Sequence, residues 1–79
     1  MKTIRNISAS ELIKALRKLG YEITRQTGSH FRLTTNQQGE HHITIPNHDP
    51  ISIGTCSSIF SAIALHFGKT KQQTIEELF

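Results

Sequence analysis

Residues 21–35 read Tyr21-Glu22-Ile23-Thr24-Arg25-Gln26-Thr27-Gly28-Ser29-His30-Phe31-Arg32-Leu33-Thr34-Thr35. Two alternating runs flank a glycine. Tyr21 to Gln26 reads as a strand with Tyr21 and Ile23 on one face, and Ser29 to Thr35 as a second strand with Phe31 and Leu33 on the buried parity. Side chains alternate along a strand, so His30, Arg32 and Thr34 share the opposite face. Thr27-Gly28 makes the tight connection, because Gly28 can take a positive φ that would strain other residues. Outward from this hairpin, Asn36-Gln37-Gln38-Gly39 is the next turn. His41 to Pro46 follows as a third strand, with Ile43 and Ile45 inward and Pro46 ending it. Three short strands joined by tight turns predict an antiparallel meander.

Helical signals stand on both sides of the meander. Ser8-Ala9-Ser10-Glu11 is a capping box, with Ser8 as N-cap and Glu11 three residues on. Leu12, Ile13, Leu16 and Leu19 follow at helical spacing, and Gly20 stops the helix. Lys14, Arg17 and Lys18 fall on its outer side. After the third strand, Asn47 to Gly54 reads as a loop, and Thr55 is the expected cap of a second helix. Its apolar stripe is Ile59, Phe60, Ile63, Ala64 and Phe67, closed by Gly68. Thr70-Lys71-Gln72-Gln73 repeats the capping-box pattern and starts a short last helix carrying Ile75, Leu78 and Phe79. The predicted order is α-β-β-β-α-α, an α+β domain over 1–79. Helices before and after a meander should cover one sheet face and leave the other, carrying His30 and Arg32, to solvent.

A chain of 79 residues has a thin core, since a domain this small buries only about 60% of its unfolded surface. Cys56 stands alone, which excludes an internal disulfide and suits a reducing compartment. No apolar stretch follows Met1 and no long apolar run occurs, so a cytoplasmic protein without membrane contact is expected. The net charge of +3 is unevenly spread. Through Leu33, Lys2, Arg5, Lys14, Arg17, Lys18, Arg25 and Arg32 stand against Glu11 and Glu22 only. Beyond it, Lys69 and Lys71 face Glu40, Asp49, Glu76 and Glu77. A basic half beside a mildly acidic half points to a polyanion face, although an ordinary solvated surface gives the same charge.

Several of these strings resemble one known family. Ser10-Glu11-Leu12-Ile13-Lys14-Ala15-Leu16 followed by Leu19-Gly20-Tyr21 is similar to the opening of HicA-type toxins, and Arg25-Gln26-Thr27-Gly28-Ser29-His30-Phe31-Arg32 carries the family's Gly-Ser-His core. Ile43-Thr44-Ile45-Pro46-Asn47-His48 and Gly54-Thr55 fall where its third strand, loop and second helix begin. The resemblance runs from about Ser8 to the C-terminus. It implies a double-stranded-RNA-binding-like fold, an mRNA endonuclease activity independent of the ribosome, and neutralisation by a HicB-type antitoxin, with no cofactor. Two features depart from the family pattern. The second helix runs about one turn longer, through Ile63-Ala64-Leu65-His66-Phe67, and the loop His48-Asp49-Pro50-Ile51 lacks the usual basic and glycine-rich residues.

A ribonuclease without metal can use the RNA's own 2′-hydroxyl as nucleophile. It then needs a proton acceptor, cations for the phosphorane and a donor to the leaving oxygen. Histidine suits the proton work because its ordinary pKa, about 6.5, lies near working pH. His30 is the candidate general acid/base, positioned after a glycine turn on a rigid strand. Arg32, two residues on, can clamp phosphate. Ser29 and the backbone N–H groups around Gly28 can hydrogen-bond a phosphate oxygen. One histidine without an acid partner predicts a slow enzyme. Lys14, Arg17 and Lys18 are candidate phosphate contacts or a plain solvated face.

The remaining histidines yield no zinc pattern. His41 and His42 point to opposite faces of a strand, and Cys56 has no partner at ligand spacing. His42 shares the outward parity with His30 and is a possible auxiliary group. His48, in the loop, is within reach of site or antitoxin, and His66 reads as structural. Ser57 and Ser58 are N-terminal helix residues without an acid–His–Ser constellation. Two other functions stay open: a noncatalytic module that grips duplex RNA by shape, and a protein-interaction module using the Leu65 and Phe79 region. Gly28-Ser29-His30 in its matching context is what favours the enzyme.

Overall fold

A computed structural model describes residues 6–79; Lys2 and Arg5, counted among the basic residues above, lie outside the described residues. The elements run α1 (Ala9–Leu16), extended by a 3-10 turn over Arg17–Leu19, then β1 (Glu22–Thr27), β2 (His30–Thr35), β3 (His41–Pro46), α2 (Ile53–Phe67) and α3 (Lys71–Leu78). The expected α-β-β-β-α-α order is therefore present, and the fold class is α+β. The strands form one open antiparallel sheet in the order β1-β2-β3.

Local chemistry explains where each element starts. The Ser8 side chain accepts the backbone N–H of Glu11 at 3.2 Å, satisfying a donor that the first turn of α1 leaves unpaired. Gly20 ends the turn at φ 81, in the left-handed region open to glycine. The Thr70 capping box is complete, each partner's side chain meeting the other's backbone N–H. The start of α2 differs from the expectation at Thr55. Ser52 is the N-cap, its hydroxyl accepting from the Thr55 N–H at 3.3 Å, and Thr55 lies in the first turn. Gly54 lies in this first turn rather than in the loop; there a glycine adds little cost, and Ser52 supplies the acceptor the helix needs.

Both long helices pack on the same sheet face. Leu33, Ile43 and Ile45 are buried in one cluster with Leu12, Ile13, Leu16, Ile59, Phe60 and Ile63. The opposite parity, His30 and Arg32 on β2 with His42 and Thr44 on β3, is exposed. Phe31 is half-buried against the core while His30 is exposed, as the alternation requires. Leu65, at 85% exposure, and Ile23, at 42%, are apolar side chains left in solvent. Ile23 was expected on the face of Tyr21. It does lie on that parity, but β1 is an edge strand that α1 covers incompletely.

The long α2 has a structural use. Its last turn brings His66 onto His41, the two rings stacked with centroids 4.4 Å apart. His66 Nε2 also donates to the Gln37 carbonyl at 2.9 Å, tying the helix end to the β2–β3 turn.

Candidate nucleic-acid interface

The hairpin turn comprises Gly28 and Ser29, one residue later than the sequence pattern suggested, with Thr27 and His30 as the closing pair. Gly28 takes φ 53. Ser29 belongs to the turn, and its carbonyl accepts the Asn47 N–H at 2.6 Å, which fixes the turn to the segment leaving β3. His30 is thus the first residue of the central strand, held between Thr27 on one side and Pro46 on the other. Its Nδ1 is 3.5 Å from Ser29 Oγ, at the outer limit of a hydrogen bond.

From His30 the open face continues as rows across the sheet. The first row is Thr27, His30 and Pro46, and the second Arg25, Arg32 and Thr44. The third holds Glu22, Thr34 and His42, with the bulged Thr24 hydrogen-bonded to Thr34. Rows are two residues apart, about 7 Å. The second row depends on a bulge: between Ile23 and Arg25 the register shifts, so Thr24 is the extra residue. Ile23 faces inward opposite Leu33, while Arg25 stands outward opposite Arg32. Bulges redirect side chains in this way. Neither guanidinium has a carboxylate at ion-pair distance among the described residues, where the two pairs are His42–Glu40 and Lys69–Glu77.

Within the third row Thr34 and His42 belong to a hydrogen-bonded chain. Thr24 and Thr34 hydroxyls are 2.9 Å apart, Thr34 Oγ1 is 2.7 Å from His42 Nδ1, and His42 Nε2 donates to Glu40 at 2.7 Å. His42 therefore shares the face of His30 as expected, but four residues along β2 from it, about 13 Å away. His41 points inward instead. Burial, then the neighbouring His66 and His42, lower its pKa from the ordinary value. His48 lies beside the His30 end, and its carbonyl accepts the Ala9 N–H at the start of α1, 3.1 Å away.

Gly28, Ser29, His30 and Arg32 converge on the open face. Lys14, Arg17 and Lys18 do not. Lys14 and Arg17 rim a groove of about 400 Å³ on the helix side, lined by Ile13, Ile23, Phe31 and Asn47. Lys18 donates to the Leu78 carbonyl at 3.1 Å, neutralising the end of α3. Arg25, which the alternation from Tyr21 and Ile23 sets inward, is a further residue of this face. Its signal was arithmetic: a two-residue turn at Gly28-Ser29 in regular register sets Ile23 opposite Thr34, an outward position. Apolar parity and turn register disagree by one residue, and a bulge removes the conflict.

The sequence model of the family described as HicA toxin of bacterial toxin-antitoxin matches residues 9–65, well over half of the chain. The chain belongs to the HicA toxin family. No curated protein and no solved structure matches it. As a HicA toxin it works against an antitoxin partner. The match begins with α1 and ends inside α2, so it takes in the whole meander and every residue of the open face. Among the described residues, no group of three His, Cys, Asp or Glu side chains converges as metal ligands, and no helix is long and apolar enough to cross a membrane.

Proposed function

We propose that this HicA toxin, acting as one domain, is a metal-independent endoribonuclease that cleaves mRNA, with His30 moving the protons. The observation that carries this reading is an exposed imidazole fixed at the first position of the central strand, one row from two unpaired guanidiniums. In the reaction His30 takes the proton of the 2′-hydroxyl as its oxygen attacks the adjacent phosphorus. The bond from phosphorus to the 5′-oxygen breaks, that oxygen is protonated, and a 2′,3′-cyclic phosphate remains. Arg32, one row from His30, holds the phosphate next to the reacting one, and from there its charge stabilises the developing phosphorane. Ser29 and the backbone N–H groups of the Gly28 turn add hydrogen bonds. Lys14 and Arg17, on the other layer, contribute long-range attraction rather than contact.

Among the described residues no other histidine is hydrogen-bonded to His30, and only His48 lies beside its end of the face. His42 is at the far end of the face, while His41 and His66 are stacked on each other. A single proton carrier gives slow turnover, which suffices for a toxin acting on many messages. The test is cleavage of an oligoribonucleotide by the purified toxin in excess EDTA. Cyclic phosphate ends, and complete protection when the 2′-hydroxyl at the cut position is replaced by hydrogen, are the expected results. Cleavage that EDTA abolishes, or that survives the deoxy substitution, rules this chemistry out. Salt-sensitive binding with no cleavage at any toxin concentration would instead establish a noncatalytic RNA-binding module.

A further inference from the structure

Beyond His30 the open face holds a second built feature. Arg25, Arg32, Thr24, Thr34, Asn36, Glu40 and His42 line a shallow depression of about 490 Å³. Its two ends differ in chemistry. One carries the arginine pair, and the other carries hydroxyls, an amide, an imidazole and the Glu40 carboxylate.

We infer that this depression is a nucleotide subsite next to the cleavage position, where Arg25 and Arg32 clamp a second RNA phosphate and the third row receives its nucleoside. The inference rests on RNA being the ligand, and it adds Arg25, Glu40 and His42 to the surface that reads it.

Three observations support the subsite. First, like charges directly opposite on neighbouring strands are unfavourable, and here two arginines face each other with no carboxylate between them. The Thr24 bulge creates that pairing: continued from the Ile23–Leu33 end, a regular register would turn Arg25 to the helix side. A chelating pair of guanidiniums has a use when a phosphate sits between them, each offering planar N–H groups to its oxygens. Second, Glu40 fixes the polarity of the site. Its carboxylate repels phosphate and, through His42 Nε2, orients the imidazole. The phosphate therefore takes the arginine end, and the sugar and base edges meet groups that donate or accept hydrogen bonds. Third, the spacing fits a single strand lying along β2. The distance from His30 to the His42 row is about 13 Å. A stacked strand advances about 3.4 Å per phosphate, so about four nucleotide steps span it.

Arg25→Ala tests the subsite by RNA binding over a salt series, with thermal melting alongside. The expected result is weaker binding to all sequences, a salt slope shallower by about one counterion, and an unchanged or raised melting temperature as the cation repulsion disappears. Glu40→Gln is expected to tighten binding, because a repulsive charge is lost. For cleavage, Arg25→Ala should raise KM on oligomers that span the face and leave kcat near parental. The subsite is overturned if Arg25→Ala binds RNA with the parental slope, or if it melts lower with binding unchanged, which would make Arg25 a structural residue. It is equally overturned if only antitoxin affinity falls. Binding is readable without turnover, so a toxin that cleaved nothing would refute the catalytic role of His30 and leave this measurement intact.

Discussion

The Tyr21 hydroxyl lies 2.6 Å from Nδ1 of His41, joining the residue just before β1 to the start of β3. Tyr21 is fully buried and its pKa is pushed up to about 12 by that burial. Burial, His66 and His42 lower the pKa of His41, so at neutral pH its ring is uncharged and Nδ1 accepts the phenolic proton. Protonating His41 puts a hydrogen on both partners of that contact and a charge against the stacked His66.

Stability should therefore depend on pH in a definite direction. The folded pKa of His41 lies below the unfolded one, so the unfolded chain binds more protons between the two values. Stability is full above the unfolded value of about 6.5 and falls as pH drops toward the folded value. The melting temperature is expected to decline between pH 7.5 and 5, and His41→Gln should flatten that decline. An equal pH dependence in the variant would place the sensitivity elsewhere.

Two glycines with positive φ should respond differently to alanine. At Gly28 an added Cβ meets nothing within 4 Å, so the cost is backbone strain alone, about 1–2 kcal/mol. At Gly20 the Cβ would approach Gln37 Nε2 to 2.7 Å and Thr35 Oγ1 to 2.9 Å, in addition to a φ of 81. Gln37 can swing away. Thr35 cannot, since its buried hydroxyl donates to the Leu19 carbonyl at 2.7 Å. Gly20→Ala should lower the melting temperature further than Gly28→Ala, where each kcal/mol shifts it by about 4–8 °C. Gly28→Ala should nevertheless lose more cleavage, because the turn positions His30. Equal melting losses would remove the crowding argument.

The antitoxin should act by covering the open face. A HicB-type partner presenting carboxylates to Arg25 and Arg32 would hide His30 from RNA, and mixing the pair is expected to abolish cleavage. A tight complex in which the toxin still cleaves at its free rate would show that steric occlusion is not the mechanism.

Most of this architecture was legible because the sequence signals agree with one another. Ser8 as N-cap, the Thr70–Gln73 capping box, and the alternation of Phe31 and Leu33 each specify a local structure that the packing then keeps, whereas the expected Ser8–Glu11 box forms by half, the Glu11 carboxylate accepting from the Ser8 hydroxyl. The exposed placement of His30 was legible from strand parity, while the Gly-Ser-His context bears on its proposed role. What escaped reading involved competition between elements. Ser52 and Thr55 are both acceptable caps, and helix length decides between them. The Thr24 bulge, and with it the outward Arg25, emerges only when turn register and apolar parity are counted against each other. The contact between His66 and His41 joins residues far apart in sequence, and neither carries a local signal of it.

The catalytic role of His30 is tested most directly by His30→Ala, assayed for RNA cleavage, RNA affinity and melting on the same preparations. His30 is exposed, so truncation opens no core cavity, and a surface change of this kind shifts stability by about 0.5 kcal/mol or less. The expected result is parental melting, nearly parental RNA affinity, and cleavage reduced by about 10²–10⁴-fold, the usual loss for a general acid–base group. Parental cleavage by a variant that melts normally would contradict the assignment.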